Sequence, residues 1–84
     1  MYKVYIIRSL TSDKFYIGVT SDIKQRLRHH NSGANRSTKG RGPWKLVYYE
    51  ELDNKESAWK RERQMKNYKG GEAFKKLLNN GRIA

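Results

Sequence analysis

Two short segments at the start of the chain favour β-strand, and they constrain every element that follows. Tyr2–Arg8 and Phe15–Thr20 are rich in β-branched and aromatic residues, which suit a pleated and partly buried surface. A polar stretch centred on Ser12 and Asp13 separates them. Two such segments joined by a short polar turn predict an antiparallel hairpin.

The number of residues in the hairpin loop decides which side chains share a face of the sheet. An even number places Tyr5 and Tyr16 on the same face, because directly opposed residues point to the same side, whereas an odd number separates them. Gly18 would share the face of Tyr16 and leave a gap that another group can approach.

The rest of the chain predicts one more strand and three helices in a single domain over residues 1–84. Their order would be ββαβαα, an α/β (α+β) fold with a small three-stranded antiparallel sheet flanked by helices. The predicted elements are a helix after Ser21-Asp22 that stops at 31–33, a strand at 44–50, a helix opened by a capping box at Asp53 and Glu56 and ending near Tyr68, and a short helix at 72–79.

Composition excludes several classes of protein. Aromatic residues make up 12% of the chain, which argues against a disordered polypeptide. The absence of cysteine excludes disulfides and thiolate metal sites, and two adjacent histidines cannot build a structural zinc site. Apolar runs are too short for a membrane span or a signal peptide, so we expect a cytoplasmic protein without membrane attachment.

Charge indicates a polyanionic partner. Nineteen Lys and Arg against eight Asp and Glu give a net charge of +11. This favours nucleic acid, with ribosomes, anionic membrane or a merely solvated basic surface as alternatives. No acidic residue lies from residue 23 to residue 49, a stretch that predicts a phosphate-binding surface. Its expected nucleic-acid contacts are Lys24, Arg28, Arg36, Lys39, Arg41 and Lys45.

Glu62 is the most informative single side chain. At about 100° per residue it falls in the inward arc of its helix, beside Ala58 and Met65. A carboxylate near a core face is costly unless it is paired or binds metal. A salt bridge to Arg61, Arg63 or Lys66 would explain it equally well.

Arg26 and His30 lie four residues apart and share one helical edge. Arginine offers a fixed fork for phosphate, and histidine can accept, donate or transfer a proton. The alternative is a solvated arginine and a histidine stabilised by the helix C-terminus. His29 points about 100° away and is expected to be exposed.

These residues resemble the GIY-YIG nuclease family. Lys3-Val4-Tyr5 stands where that family has Gly-Ile/Val-Tyr, and Tyr16-Ile17-Gly18 is its second signature element. Arg26 and Glu62 stand at the positions of the family's arginine and metal-binding glutamate. The chain is most similar to the small stand-alone UPF0213 group, from Tyr2 to about Leu78. It departs from the family at Lys3, which replaces a Gly, at Val19, where DNA-repair members have Lys, and in a late Asn that has no clear counterpart.

The resemblance implies a metal-dependent endonuclease that hydrolyses phosphodiester bonds, in DNA rather than RNA. Structure-selective cleavage in DNA repair or recombination, a monomer and a protein partner for targeting are also implied. The implied catalytic residues are Tyr5, Tyr16, Arg26, His30 and Glu62, with Glu62 holding one Mg²⁺ or Mn²⁺.

We expect these five side chains to line one concave face. A non-catalytic nucleic-acid-binding module that keeps the fold, and a basic protein that binds ribosomes or RNA, are the alternatives, because they need only the basic surface.

Overall fold

The computed structural model describes residues 1–33, 40, 42–68 and 71–80. It confirms the predicted α+β fold and its ββαβαα order. The elements are β1 (Tyr2–Ser9), β2 (Phe15–Thr20), α1 (Ile23–Asn31), β3 (Trp44–Leu52), α2 (Lys55–Lys66) and α3 (Glu72–Asn80). The three strands form one antiparallel sheet in the order β2-β1-β3, so β2 and β3 are its edges. None of the helices among these residues is long and apolar enough to cross a membrane.

The sheet buries a different apolar cluster on each face. On the first face, Val4 and Ile6 of β1 pack with Ala58 and Met65 of α2 and with Phe74 of α3, and we call this the α2 face. The opposite face, which we call the α1 face, is covered by α1. It carries Tyr5, Ile7, Tyr16 and Leu46, packed against Ile23 and Leu27 of α1. Alternation of side chains along β1 produces both clusters from one central strand.

The register of the hairpin confirms that Tyr5 and Tyr16 share a face. Arg8 pairs with Phe15, so the connecting loop 9–14 has an even number of residues. In this register Ile7 lies opposite Tyr16, and Tyr5 lies opposite Gly18. All four residues therefore belong to the α1 face. Among the residues of β2, Gly18 alone leaves a gap in the side chains of this face.

The start of α2 corrects the predicted capping box. The N-cap is Asn54, not Asp53, and its side-chain oxygen accepts a hydrogen bond from the Ser57 backbone N–H at 2.8 Å. Asparagine caps helices as well as aspartate does, and Asn54 has the extended backbone that an N-cap requires. Strand β3 runs two residues beyond its predicted end, to Leu52, and Glu56 lies in the first turn of the helix.

Candidate functional site at the edge of β2

Tyr5, Tyr16 and His30 form one compact cluster on the α1 face. The ring centroids of Tyr16 and His30 are 4.8 Å apart, those of Tyr5 and His30 5.9 Å, and those of the two tyrosines 6.4 Å. The Tyr5 hydroxyl and His30 Nε2 share a buried hydrogen bond of 2.8 Å. Tyr16 is only half-buried, so its side chain joins the buried pair to the surface.

Burial keeps both members of the Tyr5–His30 pair neutral. Burial, together with the smaller effects of the nearby charges of Arg26 and His29, lowers the pKa of His30 from 6.5 to about 4. It also raises the pKa of Tyr5 well above its usual 10. A helix-end histidine stabilised as a cation is therefore not what the structure shows: His30 is 1% exposed and has an uncharged ring near neutral pH.

The gap at Gly18 is filled by Tyr5. A Cβ atom built on Gly18 would lie 2.5 Å from the Tyr5 hydroxyl oxygen and 2.7 Å from Cζ. Only a residue without a side chain lets the phenol lie over this position of β2 and reach His30. The glycine of the second signature element thus sets the position of the tyrosine in the first.

Arg26 lies on the flank of α1 that faces β2. It borders an open depression together with Thr20 at the end of β2, Ser21, Gln25 and the exposed His29. Its charge lowers the pKa of both Tyr5 and His30, which places the guanidinium within electrostatic range of the cluster. The arginine therefore supplies positive charge near the cluster.

Glu62 lies on the opposite side of the sheet, on the flank of α2 that faces β2. Buried Ala58 and Met65 form the line of α2 that faces the sheet, and Arg61 and Glu62 lie on opposite sides of that line. Arg61 extends toward β3, where it binds Glu50. Because β3 and β2 are opposite edges of the sheet, the flank that carries Glu62 lies toward β2.

The charge of Glu62 connects it to the tyrosine cluster. The carboxylate raises the pKa of Tyr5, in addition to the effects of burial and Tyr16, although α2 packs on the α2 face. The expectation that all five residues line one face is therefore wrong for Glu62, because its helix crosses to the α2 face after β3. The other four residues belong to the α1 face or to α1, and the electrostatic effect of Glu62 on Tyr5 is what connects the two sides of the sheet.

The salt-bridge alternative for Glu62 is realised with Lys66, at 3.4 Å. This is a helix-surface pair with spacing i,i+4 in which Lys66 is more than half exposed, so it contributes only about 0.3–0.5 kcal/mol. Such a weak pair leaves the partly buried carboxylate available to a stronger partner.

Arg61 anchors α2, a role that sequence analysis missed. Its guanidinium donates to both carboxylate oxygens of Glu50, at 2.8–3.0 Å, and Glu50 also accepts from the Tyr48 hydroxyl. Burial alone would raise the pKa of Glu50, but the hydrogen bonds from Arg61 and Tyr48 outweigh it and lower the pKa below 4.5. Eleven residues separate the pair, and no local pattern in the sequence indicates the contact.

The predicted nucleic-acid contacts that the structure describes do not form one surface with this site. Lys24 and Arg28 are each two residues from Arg26 and therefore point to the far side of α1. Lys45 alternates with Trp44 and Leu46 of the α1 face and so points to the α2 face. All three are exposed, and Arg36, Lys39 and Arg41 lie outside the described residues.

The site offers a metal ion few protein ligands. The part of the chain that the structure describes contains no group of three or more His, Asp or Glu side chains that could enclose an ion. Glu62 contributes a single partly exposed carboxylate. One carboxylate fits Mg²⁺, which commonly keeps several waters and completes its octahedron with substrate phosphate.

Comparisons with known proteins all point to one family. The family model of the GIY-YIG catalytic domain matches residues 1–76 of this chain, and GIY-YIG domains are generally nucleases. A UPF0213 protein of Syntrophus aciditrophicus is 39% identical over 83 residues, which cover 95% of each chain. One of Haloquadratum walsbyi is 38% identical over 66 residues, covering 77% of this chain and 73% of the relative.

A solved structure shows the same fold. The solution NMR structure of a UPF0213 protein from Bacillus halodurans superimposes with a TM-score of 0.51 at 32% identity, covering 93% of this chain and 82% of that one. The tyrosine pair, Gly18 and Glu62 all lie within the matched domain. The chain therefore belongs to the GIY-YIG domain family, among its UPF0213 proteins.

Proposed function

We propose that the protein is a metal-dependent endonuclease that hydrolyses phosphodiester bonds in nucleic acid, DNA rather than RNA, at the edge of β2. One observation carries the proposal: the half-buried Tyr16 lies 4.8 Å from the buried ring of His30, which shares a 2.8 Å hydrogen bond with Tyr5. Packing alone does not require these polar groups, whereas phosphodiester hydrolysis needs a cation for the phosphate, an anion for a metal ion and a group that handles the proton of the water, the roles that we assign to Arg26, Glu62 and Tyr16.

Tyr16 is the residue that we assign to the attacking water. Its half-buried position lets the hydroxyl meet both substrate and solvent. A phenol is a weak base near neutral pH, so the proton needs a second acceptor. His30 orients Tyr16, because its ring lies 4.8 Å from that of Tyr16 and burial keeps it unprotonated, and the proton passes from the half-buried Tyr16 hydroxyl to solvent. Tyr5 retains its own proton and holds the imidazole in place through the 2.8 Å hydrogen bond.

Arg26 is the phosphate-binding residue in this scheme. Its guanidinium can donate two parallel hydrogen bonds to the non-bridging oxygens and stabilise the charge that develops there. Glu62 would hold the divalent cation, Mg²⁺ or Mn²⁺, which supplies neutralisation of the phosphate and the leaving oxygen when bound. Lys66 would be displaced as the partner of that carboxylate, at small cost.

The test compares two carboxylates on the same helix. Glu62→Gln keeps the size of the side chain and removes the charge that the ion needs. Glu56→Gln does the same at a site that is 79% exposed, paired with Lys60 and on a different side of α2. We expect Mg²⁺- or Mn²⁺-dependent cleavage of single-stranded, duplex, flap and branched DNA to be lost in the first variant and unchanged in the second, with nucleic-acid affinity retained in both.

Two results would contradict the proposal. Cleavage by Glu62→Gln at the rate of the parent protein, accompanied by a lower melting temperature, would make Glu62 a structural ion-pair partner. No cleavage by the parent protein with either metal ion, combined with salt-sensitive binding, would favour the non-catalytic binding module.

A further inference from the structure

The outer flank of α2 carries a basic and aromatic stripe beside Glu62. Lys55, Trp59, Arg63 and Lys66 follow one another at spacings of three and four residues, so with Glu62 they occupy an arc of about 100° on the helix. Glu62 is the single acid within this arc. By the argument given for Glu62, the stripe lies on the β2 side of α2, next to the proposed active site.

Trp59 is the exceptional member of the stripe. It is 54% exposed, whereas the other tryptophan, Trp44, is 4% exposed and belongs to the apolar cluster of the α1 face. The Lys55 ammonium lies 4.9 Å from the centroid of the Trp59 ring, and the residue remains this exposed with Lys55 in place. Neither apolar cluster uses the indole for packing.

The surroundings of the indole match a nucleotide. Trp59, Glu62, Arg63, Lys66 and Asn67 line one open depression. It therefore combines a flat aromatic ring, two cations, an amide and the carboxylate that we assign to the metal ion. A single exposed aromatic residue is ordinary on a protein surface. An aromatic ring flanked by cations is the arrangement by which proteins hold the base and the phosphate of a nucleic-acid strand.

We propose that Trp59 is a stacking platform for an unpaired base, and that Arg63 and Lys66 bind the backbone of the same strand. The inference rests on the proposed function and adds the form of the substrate. A base inside a duplex has neighbours on both of its faces and cannot stack on a side chain from a helix surface. The protein would therefore prefer nucleic acid with an unpaired nucleotide next to the scissile phosphate over a continuous duplex.

The positive charge of the flank favours nucleic acid over a protein partner. Three of the five residues in the arc are cations, and the chain as a whole carries a net charge of +11. A protein-binding surface would instead be expected to expose a larger apolar patch around the tryptophan. Here the indole stands among lysine and arginine side chains.

Trp59 emission provides a direct test. In EDTA, which prevents cleavage, we would titrate the protein with a single-stranded oligonucleotide and with a blunt duplex of the same sequence. Subtracting the emission of Trp59→Phe isolates Trp59, because Trp44 is buried in both proteins. We expect the single strand to quench Trp59 and protect it from acrylamide, and the duplex to do neither.

Affinity measurements supply the second readout. Trp59→Ala should weaken binding of the single strand by about five- to 150-fold, the range for loss of one base–aromatic stack, and change binding of the duplex less than twofold. Lys60→Ala is the matched control: Lys60 is a 78% exposed cation on the same helix but outside the arc. It should affect both ligands equally and weakly.

The outcomes separate this proposal from the nuclease assignment. Binding of the single strand without a change in Trp59 emission, or equal losses for both ligands in Trp59→Ala, would overturn the stacking role and leave the nuclease assignment standing. Absence of binding to either ligand would overturn both.

Discussion

Substituting Gly18 by alanine should disrupt the candidate site from inside the sheet. The new methyl group would lie 2.5 Å from the Tyr5 hydroxyl oxygen, 2.7 Å from Cζ and 3.0 Å from Cε1. Carbon atoms prefer separations of about 3.5–4.0 Å, so the ring must shift by roughly 1 Å. Tyr5 is 3% exposed, and a shift of that size breaks its 2.8 Å hydrogen bond to His30.

The expected loss of stability follows from these contacts. Overpacking lowers the free energy of unfolding by about 1–3 kcal/mol, and the broken hydrogen bond lowers it by about 1 kcal/mol. Replacing a glycine within a strand raises it by about 0.5–1 kcal/mol. The net loss is about 1–3.5 kcal/mol, which in a domain of this size lowers the melting temperature by roughly 5–25 °C. Thermal unfolding followed by far-UV circular dichroism measures this directly.

A control and a second background identify the cause. Gly42→Ala is the control, because its methyl group would meet Asn31 at 3.7 Å and Trp44 at 3.8 Å, which are ordinary contacts. In a Tyr5→Leu background the Gly18 substitution should cost much less, since the ring that it strikes is gone. A melting temperature unchanged by Gly18→Ala, or an equal loss in both backgrounds, would refute the close approach of Tyr5 to β2.

Three further predictions concern the residues around that contact. The pKa of His30 is lowered from 6.5 to about 4 in the folded protein, so between these pH values the unfolded chain binds a proton that the folded protein does not. The free energy of unfolding should therefore decrease as pH falls from 6.5 toward 4. Urea titrations at several pH values should show this decrease, and His30→Gln should reduce it. Tyr5→Phe should lower the free energy of unfolding by about 1–3 kcal/mol, because it removes a buried hydrogen bond. Tyr16→Phe should change the free energy of unfolding by less than about 0.5 kcal/mol but suppress cleavage. Urea unfolding and a cleavage assay measure the two effects. Arg61→Met should lower the free energy of unfolding, measured with urea, by about 1–3 kcal/mol, because it leaves the partly buried Glu50 without its cation. Adding Glu50→Gln to that variant should restore part of the lost stability.

The fold was predictable because its elements carry local signals. The β-branched and aromatic segments, the polar turn and the glycine stops gave all six elements in order, with ends that differ by up to two residues. The shared face of Tyr5 and Tyr16 followed from strand alternation and an even loop. The cap of α2 was misplaced by one residue because Asp53 and Asn54 are adjacent and both favour the N-cap position.

The arrangement of the site was less predictable because it depends on which face each helix covers. Helical angles correctly placed Glu62 beside the buried line of α2, but they carry no information about the side of the sheet on which α2 packs. The pairing of Arg61 with Glu50 was equally unpredictable, because it is a tertiary contact between a helix and a strand. The burial of His30 also escaped prediction, because a histidine at a helix end is commonly solvated.

The proposed mechanism requires a single site at the edge of β2 to which both faces of the sheet contribute. Paramagnetic broadening of amide NMR signals by Mn²⁺ tests this most directly, since it reports distance from the ion whether or not the protein cleaves. We predict that Mn²⁺ broadens the signals of Tyr16 and Gly18 together with those around Glu62, that Glu62→Gln abolishes the effect, and that Glu56→Gln retains it. Broadening confined to α2, or broadening that survives Glu62→Gln, would contradict the account.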